Sequence, residues 1–392
     1  MPFSSIYLDN STITRPSEQT ISRMMPFFTT MWGVPSAPHQ KGYELHQSLT
    51  ESFKTLYQFV DAHENDQLVF TSSGAEAVNH VIQSVYRDMT ITTGKNQFIT
   101  SCIAEAPAIM AIERLEHLGC IGKLIPVNGQ GLITAKALSE TISPRTALIS
   151  IPWADGLTGV IQPLNEISDI CKQRGILLHI EATHVLGKLF FELKDIQADF
   201  ITFNGDQLHA PKGTGGLYIR QGVKCSPFIS GGSDQAGLRA GSINMPSLVA
   251  LANAAKESLE NRDYLGTEIA RLRDRLENGI LQSVPQAVLL FKEQERLPHC
   301  TTIAFPGITN ESLLFMLNRK GIYASIGGGN FQQLTLILKA TGLPDLITHG
   351  AISFSLSRYT REEEIDQAIT IISENVNDLL SLSNKIITKF KT

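Results

Sequence analysis

Gln67-Leu-Val-Phe-Thr-Ser-Ser-Gly-Ala-Glu-Ala-Val-Asn79 is the stretch on which the fold turns. Gln67 to Ser72 is a short, largely apolar run of strand length. From Gly74 to Tyr86 the apolar residues Ala77, Val78, Ile82 and Val85 recur at helical spacing. A strand therefore feeds a helix across the Ser72-Ser73-Gly74 turn. The helix N-terminus, with its unsatisfied N–H groups, faces whatever lies beyond the strand's end.

The same unit repeats along the chain. Asn96 to Thr100 reads as the next strand, and Pro107 to Leu118 as a helix ended by Gly119. Lys123 to Val127, Thr146 to Pro152, Ile176 to Ile180 and Asp199 to Asn204 read as further strands, with helices over Ala135 to Ile142 and Leu164 to Arg174. Strands alternating with helices imply right-handed crossovers and a largely parallel α/β sheet covered on both faces. After Pro246 the pattern changes. One long amphipathic helix is expected from Ser247 to about Leu281, then a strand at Thr301 to Phe305, helices around Glu311 to Leu317 and Gln332 to Ala340, and a strand at Ile352 to Leu356. A charged helix follows Glu362. The chain is thus expected to divide into a large α/β domain over 15–246 and a smaller α+β domain made of 1–14 and 247–392.

Composition narrows the function classes. With 42% hydrophobic and 18% charged residues the chain fits a packed globular protein rather than a disordered one. A formal net charge of −5 argues against a nucleic-acid footprint, and no Lys/Arg block suggests a membrane surface. No apolar run approaches the ~20 residues of a spanning helix, and the first residues lack the pattern of a secretory signal. The cytoplasm is the expected compartment. Cys102, Cys120, Cys171, Cys225 and Cys300 are scattered without short paired spacing, so neither a disulfide frame nor a metal site is expected.

Eight segments, in one order, resemble the cysteine desulfurases of the class V aminotransferase family. They are Tyr7-Leu-Asp-Asn-Ser-Thr-Ile-Thr14, Gly33-Val-Pro-Ser-Ala-Pro-His39, Phe70-Thr-Ser-Ser-Gly-Ala-Glu-Ala-Val-Asn79, Trp153-Ala-Asp-Gly-Leu-Thr-Gly-Val-Ile-Gln-Pro163, His179-Ile-Glu-Ala-Thr-His184, Phe203-Asn-Gly-Asp-Gln-Leu-His-Ala-Pro-Lys-Gly213, Gly237-Leu-Arg-Ala-Gly-Ser-Ile-Asn-Met-Pro246 and Ile352-Ser-Phe-Ser-Leu-Ser-Arg-Tyr-Thr360. The resemblance implies the type I pyridoxal-phosphate fold, with a mostly parallel seven-stranded sheet. It also implies a homodimer and a chemistry that removes sulfur from cysteine.

Matching the family's site positions one by one gives a different picture. The Schiff-base lysine is Gln207, whose amide has no basic lone pair and cannot condense with an aldehyde. Lys212 matches the family's own Pro-Lys-Gly lysine, which is not the Schiff-base residue. At the phosphate site Gly74 is kept, but a threonine is Ala75, a serine is Asn204 and a histidine is Asp206. Two like charges ~4 Å apart at an effective dielectric near 20 repel by about 4 kcal/mol, so Asp206 opposes phosphate unless it caps a turn or meets a cation. Glu181 stands where an aspartate would hold the pyridine nitrogen, and Ala106 where a histidine would cover the ring. Asp155-Gly156 replaces an Asn-Asn pair, and His184 replaces a glutamine. The carboxylate-clamping arginine is Ser353, while the motif's second arginine, Arg358, remains. In the loop 325–333, Ser325-Ile-Gly-Gly-Gly-Asn-Phe-Gln-Gln333, no thiol appears, and Asn330 sits near the place of the nucleophilic cysteine. Ser242 keeps the hydroxyl that the resemblance implies is lent to the neighbouring subunit's phosphate site, beside Arg239.

A retained scaffold with a dismantled site leads to the expectation of an inactive homologue: no covalent pyridoxal phosphate, no desulfurase activity, and a dimeric binding or regulatory role. Its partner would be a second copy, an active paralogous desulfurase or another protein. Two other readings stand beside it: an enzyme holding the cofactor non-covalently, with His184 or Glu181 as acid or base, and a desulfurase whose missing groups come from a partner subunit.

Overall fold

The computed structural model describes the backbone of residues 5–328 and 332–390. Its central sheet has seven strands: β1 (Gln67–Thr71), β2 (Gln97–Ser101), β3 (Ile121–Ile125), β4 (Thr146–Pro152), β5 (Leu177–Glu181), β6 (Phe200–Asn204) and β7 (Gly215–Ile219), in the order β1-β7-β6-β5-β4-β2-β3. Every pairing is parallel except those of β7, which runs antiparallel to both β1 and β6. The fold is the mixed α/β architecture expected.

Alternation along the strands supplies two cores. In β1, Leu68 and Phe70 face one side and Val69 the other; in β6, Ile201 and Phe203 oppose Phe200. One face is covered by α1 (His46–Phe59) and a later helix, α6 (Met245–Glu260). The other is covered by α2 (Gly74–Val85) and α3 (Ala106–Glu116). Between these in sequence lie α4 (Ala135–Thr141) and α5 (Leu164–Arg174).

Two large-sheet elements are absent from the pattern read off the sequence, α1 and β7. β7 opens on Gly215-Gly216, which depresses strand propensity. Packing requires those glycines: a Cβ on Gly216 would lie 2.2 Å from the Phe203 ring, and one on Gly215 2.5 Å from the Ser73 backbone. α1 buries Ser52, Leu56 and Phe59 and packs Leu49, Phe53 and Tyr57 half-buried beside them, an amphipathic face that lies ahead of the strand–helix alternation read from Gln67 onward.

The single helix expected from Ser247 to Leu281 is two. α6 stops at Asn261, whose N–H and side-chain amide both donate to the Glu257 carbonyl, at 3.1 and 2.7 Å. After Arg262–Tyr264 and a π-helical turn at Leu265–Ile269, α7 (Ala270–Ser283) resumes. Met245, Leu248 and Leu251 pack in the core beside the large sheet. Leu272, Leu276 and Ile280 pack in a second core with Ile6, Leu8, Ile303, Phe354 and Ile372. The helices on the two sides of the kink thus pack into different cores, while the first core also takes in Leu290, Leu297, Leu334 and Leu338 from later in the chain. The second surrounds a small antiparallel sheet of β8 (Val288–Leu289), β9 (Cys300–Ala304) and β10 (Ala351–Ser355), closed by the helix α8 (Glu362–Phe390). Ile6–Tyr7 pairs in parallel with Ile322–Tyr323 as a separate two-stranded sheet, and Ile6 and Ile322 pack in the same second core.

Candidate functional site

A cleft of about 350 Å³ opens at the carboxyl ends of β4, β5 and β6, where parallel α/β sheets place their ligands. Ser73, Gly74 and Ala75 from the start of α2 line one part of it. Glu105 and Ala106 at the start of α3, Glu181 at the end of β5, and Asn204 and Gln207 after β6 line the rest. The fold brings these together because each lies where a strand hands over to a turn or helix. Ser73 caps α2, its hydroxyl accepting from Glu76 N at 3.1 Å. A Cβ on Gly74 would sit 3.3 Å from the Asn204 Cβ, so the helix packs closely against the end of β6.

Gln207 is held by its amide, Nε2 donating to the Thr12 carbonyl at 2.8 Å. Glu181 is buried, and its Oε1 accepts from Thr183 N at 2.9 Å. Burial, reinforced by the neighbouring Glu105 carboxylate, raises its carboxyl well above the ordinary range against the pull of His184 and Thr183. His184 Nε2 lies 3.0 Å from Glu105 Oε1. Its ring fills the space beside Gly156, where any Cβ would come within 2.4 Å of it. Neither His184 nor Gly156 lines the cleft; they form the packing behind it.

Several residues matched to the family's site lie elsewhere. Asp155 is buried and caps its own turn, Oδ1 accepting from Leu157 N, Thr158 N and Thr158 Oγ1. Ser353 donates its hydroxyl to the Leu157 carbonyl at 2.6 Å inside the small sheet. Arg358 pairs with Glu257 and lines a separate small cavity. Ser242 is exposed and does not line its own chain's cleft. Arg239 binds Glu76 at 3.1 Å and its neighbour's carbonyl at 3.3 Å within one chain. Lys212 is exposed and outside the cleft, which removes it as a relocated Schiff-base residue. Burial raises the Asp206 carboxyl, opposed by Asn204 and by the charge of Lys212, so its neighbouring cation is Lys212. Asn330 lies outside the described residues. Around it, Gly327–Gly328 pairs with Gln332–Gln333, and Ser325 bridges to Ser353.

Two functional candidates escape the sequence reading. Glu105 is one; only folding shows that it shares a wall with Glu181. Lys188 is the other. It is buried in a cavity of about 20 Å³ with Gln207, His299 and Arg358, and its Nζ finds no hydrogen-bond partner among the described residues. Burial lowers its ammonium to about 8 against the opposing pull of Cys300 and Glu181. A lone lysine inside the apolar run Val185-Leu-Gly-Lys-Leu-Phe-Phe191 was the available signal.

The family model for aminotransferase class-V matches residues 6–368. The chain belongs to that family. Among its relatives, this class-V chain is 35% identical over 385 residues to a cysteine desulfurase of Trichormus azollae, covering 97% of the chain and 95% of the relative. It is 32% identical over 383 residues to the cysteine desulfurase NifS of Azotobacter vinelandii, covering 96% and 94%. A solved NifS-like protein superposes with a TM-score of 0.88 at 28% identity, covering 95% of the class-V chain and all of the other.

Pyridoxal phosphate is the family's cofactor, and the residues present in this class-V chain do not fit it as a covalently held group. Among the described residues no lysine or arginine lines the cleft, while two glutamates do. Gln207 offers a bound amide where an amine is needed. Lys188 does not line the cleft but the small cavity, which Gln207 lines as well. Ala75 and Ala106 supply neither a hydroxyl for phosphate nor a face for the ring.

Proposed function

We propose that this chain is a cysteine desulfurase homologue without covalent cofactor binding or desulfurase activity, which works in the cytoplasm as a dimeric binding or regulatory protein. Gln207 carries the reading: a buried amide, tied to Thr12, occupies the place where the family's chemistry begins. The Ser353 bond to Leu157 supports it, as does a cleft that no lysine or arginine among the described residues lines. Free thiols at all five cysteines are consistent with a reducing compartment. For the dimer, Phe28, Trp32 and Tyr43 give support, since large side chains more than half exposed on one stretch suit a covered surface.

Incubation with pyridoxal phosphate, borohydride reduction and mass spectrometry test the reading. No pyridoxyl mass on any lysine is expected, and an adduct would refute it. Sulfide release from cysteine should stay at the no-protein blank. Gln207→Lys alone should not raise it, because the nucleophile and carboxylate clamp are still missing. Light scattering at micromolar concentration should give twice the chain mass; a clean monomer would remove the dimer.

A further inference from the structure

The large sheet ends in an open edge, and one side chain closes it. β1 pairs with β7 on one side, and no strand among the described residues lies on the other. Such an edge offers unpaired N–H and C=O groups to any extended chain, and the apolar run Leu68-Val-Phe70 makes this one adhesive. The backbone groups of Phe70 face away from β7. Its N–H donates to Gln235 Oε1 at 2.7 Å, and its carbonyl accepts from Gln235 Nε2 at 3.0 Å. A neighbouring antiparallel strand would make the same reciprocal pair through the N–H and C=O of one residue. The Gln235 amide imitates that residue.

The turn that carries Gln235 is strained. Gln235 and Ala236 both have left-handed backbone, with φ of +48° and +57°, in succession and without a glycine's freedom. Strain of this kind persists only where the surroundings hold it. Here Gly237 N donates to the Ser233 carbonyl at 3.2 Å, Leu238 N to the Gln235 carbonyl at 3.1 Å, and Ala240 N to the Ile229 carbonyl at 3.0 Å. Arg239 then ties the end of the turn to Glu76 on α2 at 3.1 Å.

We propose that the turn 233–240 is a clasp, in which Gln235 stands in for an edge strand and stops β1 from adding the β1 of a second copy of this chain. An antiparallel strand pair is two-fold symmetric, so the same edge on another copy is its ready partner. The clasp is independent of what the cleft binds.

Hydrogen exchange at Phe70, read on the full-length protein at low micromolar concentration, and light scattering over rising concentration test this. In Gln235→Ala the Phe70 amide should exchange at least tenfold faster than in wild type, and species heavier than the wild-type particle should grow with concentration. A synthetic Gln-Leu-Val-Phe-Thr peptide should bind this variant and not wild type, which separates edge addition from aggregation of unfolded chain. Gln235→Glu keeps the acceptor for the Phe70 N–H and loses the donor to its carbonyl. It should show smaller shifts of the same sign, and it serves if the alanine variant does not fold. Ala236→Gly relaxes the turn without touching either bond and should behave as wild type. Wild-type exchange at Phe70 in the folded alanine variant would show that Gln235 does not protect the edge. Faster exchange with neither heavier species nor peptide binding would show that the clasp guards nothing. Either result overturns the proposal.

Discussion

Gly156 and His184 have to be read as one change. The ring of His184, anchored at 3.0 Å by Glu105, occupies the space that a side chain at 156 would need. Gly156→Ala should therefore destabilise the fold by about 1–3 kcal/mol, the usual cost of overpacking. In a His184→Ala background the same substitution should cost much less. Urea denaturation of the four proteins in a double-mutant cycle measures the coupling; additive effects would show that the ring moves aside freely. Neither residue's environment is visible in sequence. The replacements at Gln207, Asp206, Ala106 and Ser353 are legible one position at a time, because an amide, a carboxylate, a methyl and a hydroxyl each fail a stated chemical demand. What they do instead is not legible. The bonds from Gln207 to Thr12, from Ser353 to Leu157 and from Arg358 to Glu257 join positions far apart along the chain.

Secondary-structure elements were legible where a short, largely apolar run of strand length or a pattern of period 3.6 ran uninterrupted, as in β1, β4 and α2. They were not where tertiary packing overrode local preference, as with the glycines of β7, or where one capping side chain stopped a long apolar pattern, as Asn261 does between α6 and α7. The start of α2 is the element on which the cleft depends. Ser73 accepts from Glu76 N, and Glu76 in turn receives Ser72 N at 2.8 Å and Arg239 Nε at 3.1 Å. Burial raises the Glu76 carboxyl, but Ser72 and Arg239 outweigh it and leave it below its ordinary value, so the residue stays ionised near neutrality. Ser73→Ala should cost about 1 kcal/mol as a lost N-cap. Thermal unfolding of the variant checks this, and no loss of stability would mean that water replaces the cap.

For the molecule as a whole, acid is the predicted weakness. Burial holds His179 down to about 3, His209 to about 4 and His299 well below 6.5. The unfolded chain takes up protons at these side chains near pH 6.5, and the folded chain does so only at far lower pH. Stability is therefore full above about pH 6.5 and falls as pH drops toward 4, by up to roughly 4 kcal/mol per pH unit for the three together. Glu181, raised in the folded state, works in the opposite direction and offsets part of the loss. The urea midpoint should be lower at about pH 5 than at about pH 7.5, and an unchanged midpoint would mean that these histidines are protonated within the fold.

The antiparallel β7 also has a consequence for how the chain is made. β1 is an edge strand whose one sheet neighbour is β7. On the ribosome, Gln67–Thr71 emerges long before Gly215–Ile219 has been translated. At 5–20 residues per second, an apolar strand waits on the order of ten seconds for its partner. The same delay is longer for Ile6–Tyr7, which pairs with Ile322–Tyr323. The nascent chain thus displays two unmatched strands while residues 72–214 are being made, and a holding chaperone would find them there.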